Sequence, residues 1–92
     1  MDIASARDAG KAAVEVLAEL IPEAKHAALE GIEFDGSTRT WKVIVGYMLD
    51  SDIPQTALAA LGSMRDRRTY KMLVLDEATL ELQKMEPYSI GA

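Results

Sequence analysis

The stretch GIEFDGSTRTWKVIVGY, Gly31–Tyr47, decides the fold of this 92-residue chain. Ile32 and Phe34 alternate with Glu33 and Asp35, Asp35-Gly36 interrupts the run, and Trp41, Val43, Val45 and Tyr47 then alternate with Lys42, Ile44 and Gly46. A period of two marks a strand with one face turned to a core, and Asp-Gly between two such runs is a strong hairpin signal. Upstream the period changes. Ala6, Gly10, Ala13, Val14, Leu17, Leu20 and Ile21 recur every three or four positions and predict an amphipathic helix over residues 3–20. Either Ser5 is its N-cap, with Asp8 three residues on, or the helix starts nearer Asp2. Pro22 cannot continue the hydrogen-bond ladder, so the helix ends or kinks at Ile21. PEAKHAAL, Pro22–Leu29, reads as a further helical turn or two, opened by Pro22 and closed by Gly31.

Downstream the alternation continues. The second strand runs to about Leu49. The third, Thr69–Asp76, sets Tyr70, Met72 and Val74 against Lys71, Leu73 and Leu75. A turn at Asp76–Thr79 leads to a fourth strand, Leu80–Met85, which Pro87 ends. Between strands two and three, Asp50–Met64 is too long for a hairpin turn, and Asp52, Pro54 and Gly62 frame a short helix over 54–61. The expected architecture is α+β, with an N-terminal helix, kinked or broken at Pro22, packed across a four-stranded antiparallel sheet. A short helical insertion separates strands two and three. A chain of this length is one domain, with the helix over 3–29, the sheet over 30–86 and a tail over 87–92.

Composition narrows the function classes. With 49% hydrophobic and 27% charged residues the chain is ordinary globular material. It has no cysteine, which removes disulfides, thiolate catalysis and zinc–cysteine sites. No apolar run approaches the length of a membrane span, and Met1–Ser5 carries no basic or apolar signal segment, so a cytoplasmic location without membrane contact is expected. The net charge of −5 disfavours nucleic acid. Residues 1–35 hold most of the acids, whereas Arg65, Arg67, Arg68 and Lys71 make a short basic cluster whose plainest role is to blunt a sheet edge.

No residue set announces catalysis. His26 is the single histidine and stands beside Lys25 in an alanine-rich run, as a boundary residue would. The pairs Glu19/Glu23 and Glu30/Glu33 have the spacing of solvated helix-surface acids. Asp50-Ser51-Asp52 lacks the central glycine and distal acid of a calcium loop. No Ser–His–Asp arrangement, glycine-rich phosphate loop or transition-metal ligand set is present. No enzyme, cofactor or metal is expected.

The sheet is too apolar for one helix to cover. With Ile32, Phe34, Trp41, Val43, Val45, Tyr70, Met72, Val74, Leu80 and Leu82 assigned beneath the helix, the other face still carries Ile44, Met48, Leu73, Leu75 and Met85. An uncovered apolar sheet face marks an interface. Ile44, Met48, Leu73 and Leu75 are thus candidates for a homodimer face, for cover by the Ile53–Met64 segment, or for a different protein partner. Ile53, Leu58 and Leu61 are candidate partner contacts, with Arg65, Arg67 and Arg68 at their rim selecting an acidic protein. The alternative is a small-molecule pocket, in a binding protein or an enzyme, between helix and sheet near Trp41 and Tyr70.

The segments LEGIEFDG (Leu29–Gly36), TWKVIVGY (Thr40–Tyr47) and RTYKMLVLDEATLEL (Arg68–Leu82) resemble PepSY-type domains and a group of small uncharacterised bacterial proteins. The resemblance covers about Ala12–Met85 and departs at Leu80, where the pattern has a turn glycine. It implies a PepSY-like or cystatin-like unit, a helix across an antiparallel sheet. Such units bind or inhibit other proteins, peptidases among them, and share no catalytic residue. An immunity-like or antitoxin-like inhibitor is compatible with the same size and acidity.

Overall fold

The computed structural model describes residues 5–49 and 68–89. They form α1 (Ala6–Leu20), β1 (Lys25–Asp35), β2 (Thr40–Met48), β3 (Thr69–Asp76) and β4 (Leu82–Tyr88). The strands make one antiparallel sheet in the order β1-β2-β3-β4, each beside its neighbour in sequence. The helix crosses one face, chiefly over β1 and β2. The expected α+β arrangement of one helix on a four-stranded antiparallel sheet is therefore present. The helical insertion expected over 54–61 lies outside the described residues, as do Ile53, Leu58, Leu61, Arg65 and Arg67.

The ends of α1 follow its sequence. Ser5 is extended, and its hydroxyl accepts the Asp8 N–H at 3.2 Å, which satisfies one of the free donors of the first turn. The Ile21 N–H donates to the Leu17 carbonyl at 2.8 Å, and Pro22 follows with no N–H to offer. The buried stripe is Ala9, Gly10, Ala13 and Leu17. It is rotated from the expected one, because Ala6 is exposed and Leu20 is 53% exposed. The rotation turns the smallest side chains to the sheet. A Cβ on Gly10 would stand 3.0 Å from Leu29 Cδ2, so glycine permits the close approach of α1 to β1.

The expected second helical segment does not form. From Lys25 the chain is strand, pairing Lys25 with Met48, Ala28 with Gly46 and Leu29 with Val45. Alanine-rich local propensity yields here to an unpaired β2 edge, which gains a full ladder from β1. The mismatch shows as register irregularities between Lys25 and Ala28 and between Leu29 and Gly31, with His26 at φ 54° within the first.

At the other end, Pro87 does not stop β4. It pairs with Lys71, and Tyr88, expected in the tail, pairs with Tyr70. β4 is an edge strand, where a missing N–H is tolerated. Leu80, expected within the fourth strand, lies in the preceding turn at φ 61°.

The core is built from Ala9, Ala13 and Leu17 of the helix against Val43, Val45, Tyr47, Leu73 and Leu75 of the sheet. Trp41, Ile32, Leu82 and Met85 pack around it. The expected face of β2 is thus correct, but that of β3 is exchanged. Leu73 pairs with Val43 and Leu75 with Trp41, which places both leucines under the helix. Tyr70, Met72 and Val74 turn the other way. Both parities of β3 are apolar, so alternation alone cannot choose between them, and the exchange follows from a one-residue difference in phase.

Candidate functional site on the open sheet face

The side of the sheet turned away from α1 brings together residues from all four strands. Across β1 to β4 the register sets Glu33, Lys42, Val74 and Lys84 in one row and Gly31, Ile44, Met72 and Glu86 in the next. A third row aligns Gly46, Tyr70 and Tyr88. Ile44, Met72 and Tyr70 are half-buried, and Tyr88 is 42% exposed. They form an apolar strip bordered by charges.

Gly46 keeps part of this strip flat. A Cβ there would lie 2.9 Å from Tyr70 Cε1 and 3.0 Å from both Arg68 Nη2 and Glu30 Cγ. Those three side chains therefore lie down on the backbone of β2. Arg68 is held in place by donating from Nη2 to the His26 carbonyl at 3.2 Å, which ties the start of β3 to the start of β1.

Two shallow depressions share Lys42. One, of about 230 Å³, is lined by Gly31, Ile32, Glu33, Lys42, Ile44, Met72 and Tyr88. The other, of about 380 Å³, is lined by Thr38, Thr40, Lys42, Val74, Gln83 and Lys84. In the second, the buried Thr40 hydroxyl and the Thr38 hydroxyl are 2.7 Å apart and share a hydrogen bond. Lys42 pairs with Asp35 at 3.2 Å and Lys84 with Glu86 at 2.6 Å. Exposed pairs of this kind contribute little to stability and leave the ammonium groups free to exchange partners.

The carboxylates beside this face are anchors of turns. Asp35 is held well below the ordinary carboxylate range, first by the Ser37 hydroxyl at 2.6 Å, then by Lys42 and the Ser37 and Thr38 N–H groups. Asp76 is also lowered, chiefly by the Thr79 and Ala78 N–H groups, each donating at 2.9 Å. Both are acceptor-saturated ions suited to fixing turns, not to moving protons. On the helix side, burial raises the Tyr47 phenol above its ordinary value, with Glu23 adding to the effect.

The residues singled out in the sequence are divided between the two faces. Ile44 lies on the open face and Arg68 at its margin. Met48 has the same parity as Ile44 but is fully buried at the end of β2. Leu73 and Leu75 are core residues and are not available to a partner. Trp41 packs on the helix side, where its ring meets Phe34 edge to face at 5.0 Å, whereas Tyr70 lies on the open side over Gly46. The two are not brought together. Trp41 Nε1 is buried with no acceptor among the described residues.

Met72, Val74, Tyr88, Lys84 and Gln83 belong to the open face, and sequence reasoning did not assign them to a site. The available signal was the dual apolar parity of β3, which allowed Met72 and Val74 to be the outward set. Among the described residues no group of three His, Cys, Asp or Glu side chains is placed to hold a metal ion, and no helix is long and apolar enough to cross a membrane. Comparison with protein-family models, curated proteins and solved structures finds no match to this chain.

Proposed function

We propose that this chain is a non-enzymatic protein-binding module that uses the open face of its sheet to pair with a second copy of itself. The observation that carries the reading is the apolar strip of Ile44, Met72, Tyr70 and Tyr88, left uncovered by α1 and framed by charges of both signs. The whole chain carries a net charge of −5, so two copies repel each other over most of their surfaces. Around the strip, however, Lys42, Lys84 and Arg68 stand among Glu30, Glu33, Asp35 and Glu86, so the charges there nearly balance. A two-fold contact lets each copy's cations meet the other's acids while the apolar strips cover one another. The PepSY-like and cystatin-like resemblance supports the same class of role, since those units act by binding proteins.

Sedimentation velocity over a concentration series tests the proposal. The wild-type chain is expected to sediment at twice its 10.0 kDa mass. Ile44→Glu and Met72→Glu, at half-buried open-face positions, are expected to give folded monomers by circular dichroism. A monomeric wild type, or variants that still dimerise, overturns self-association through this face.

A further inference from the structure

We propose that the depression formed by Thr38, Thr40, Lys42, Gln83 and Lys84 over Val74 is a binding site for a small oxyanion, a carboxylate or phosphate group. The hollow shares Lys42 and Lys84 with the face proposed for self-association, but it needs one copy only. In a chain with a net charge of −5, this hollow of about 380 Å³ has no Asp or Glu in its lining. Two lysines, two threonines and a glutamine line it instead, all side chains that donate hydrogen bonds.

Its geometry is set by the sheet. Lys42 and Lys84 flank Val74 from the two neighbouring strands, so their stems wall an apolar floor, while their heads pair with Asp35 and Glu86 at its margins. Thr40 is 3% exposed and shares a hydrogen bond with Thr38. Whichever hydroxyl accepts in that pair keeps its own proton for another acceptor.

The carboxylates that pair with the two lysines lie outside the lining of the hollow. Asp35 divides its oxygens, Oδ1 accepting from Ser37 and Thr38 of its own turn and Oδ2 meeting Lys42 Nζ at 3.2 Å in a part-exposed pair that an incoming anion must loosen. The Lys84–Glu86 pair is exposed on both sides, with 61% and 44% of the two side chains accessible, so an incoming anion competes with a weak contact. An oxyanion between the two ammonium groups gains charge-assisted bonds from both, and a short apolar portion of the same ligand rests on Val74.

The experiment is a titration of inorganic phosphate, and separately of acetate, at constant ionic strength held with chloride. Amide and side-chain NMR shifts of Thr38, Thr40, Gln83 and Lys84 are followed. Saturable shifts at these residues with a dissociation constant on the order of millimolar are expected. Lys84→Gln, at an exposed position, weakens binding about tenfold, whereas Lys71→Gln, on the helix side of the sheet, leaves it unchanged. Saturation by phosphate alone assigns the site to phosphate groups, and saturation by acetate alone assigns it to carboxylates. Shifts that grow linearly without saturation, or that are equal in wild type and Lys84→Gln, overturn the proposal. The same titration of the Met72→Glu variant separates this site from self-association.

Discussion

Arg39 and Glu77 join the two hairpin turns at one end of the sheet. The Glu77 N–H donates to the Arg39 carbonyl at 3.2 Å, and Arg39 Nε meets Glu77 Oε1 at 2.5 Å. The arginine side chain is 74% exposed and the glutamate 12%. The contact links the β1–β2 hairpin to the β3–β4 hairpin at the turn end of the sheet, beyond the ladder of β2 and β3. Glu77→Gln retains the shape and removes the charge. Because the guanidinium is largely solvated, the expected loss is under about 1 kcal/mol, and it shrinks in about 1 M salt. Urea unfolding of both chains at low and high salt measures it, and a loss that salt does not reduce argues against an ionic contribution.

Leu80 holds a left-handed backbone, with φ 61°, and its N–H donates to the Asp76 carbonyl at 3.1 Å to close the β3–β4 turn. A branched side chain in this region is strained, by about 1–2 kcal/mol. Leu80 also packs against the core, so truncation loses contact in any variant. The informative comparison is Leu80→Gly against Leu80→Ala. Both lose the packing, but only glycine sheds the strain. Leu80→Gly is therefore expected to be more stable than Leu80→Ala by about 1 kcal/mol, the reverse of the usual order outside such turns. Equal midpoints in urea would show that no strain is stored there.

The two faces of β3 should respond unequally to truncation. Leu73 is fully buried under α1, and Leu73→Ala is expected to cost about 2–5 kcal/mol. Met72 is half-buried on the open face, and Met72→Ala should cost about 1 kcal/mol or less. Thermal melts at a concentration low enough to keep the chain monomeric report the difference. The opposite order would mean that β3 pairs in the other phase.

Acid should weaken the fold through its turns. The Asp35 and Asp76 carboxyls titrate in the folded chain below their ordinary value of 3.8, because turn N–H and hydroxyl groups prefer the ionised form. A depressed folded value means that the unfolded chain binds protons first as pH falls. The stabilisation is complete above about pH 4 and erodes below it, as the pH falls toward the folded values. Asp35→Asn with Asp76→Asn should flatten the acid limb of a stability–pH curve measured in urea. Tyr47 acts at the other extreme. Its raised value makes its contribution complete below about pH 10 and lost as pH climbs through the folded value.

Much of the architecture was legible in the chain. The Ser5 cap, the stop at Pro22 and the span Thr69–Asp76 follow from local chemistry, since caps, a missing N–H and a period of two act within a few residues. The outward parity of Ile44 was readable because its neighbours Val43, Val45 and Tyr47 outweigh it. The open-face site was less legible. Lys42, Val74 and Lys84 are distant in sequence and become neighbours only through strand register.

By itself the sequence determined that a helix precedes an antiparallel sheet, that the helix is interrupted at Pro22, and that the sheet has more apolar surface than one helix covers. Only the tertiary structure decided which apolar set of β3 goes inward, and it chose Leu73 and Leu75 because they pair with Val43 and Trp41 under the helix. It also decided that Lys25–Glu30 is strand, since pairing with β2 outweighs alanine-rich helical propensity. Alternation fixes which residues share a face, but which face is buried depends on contacts between strands far apart in the chain.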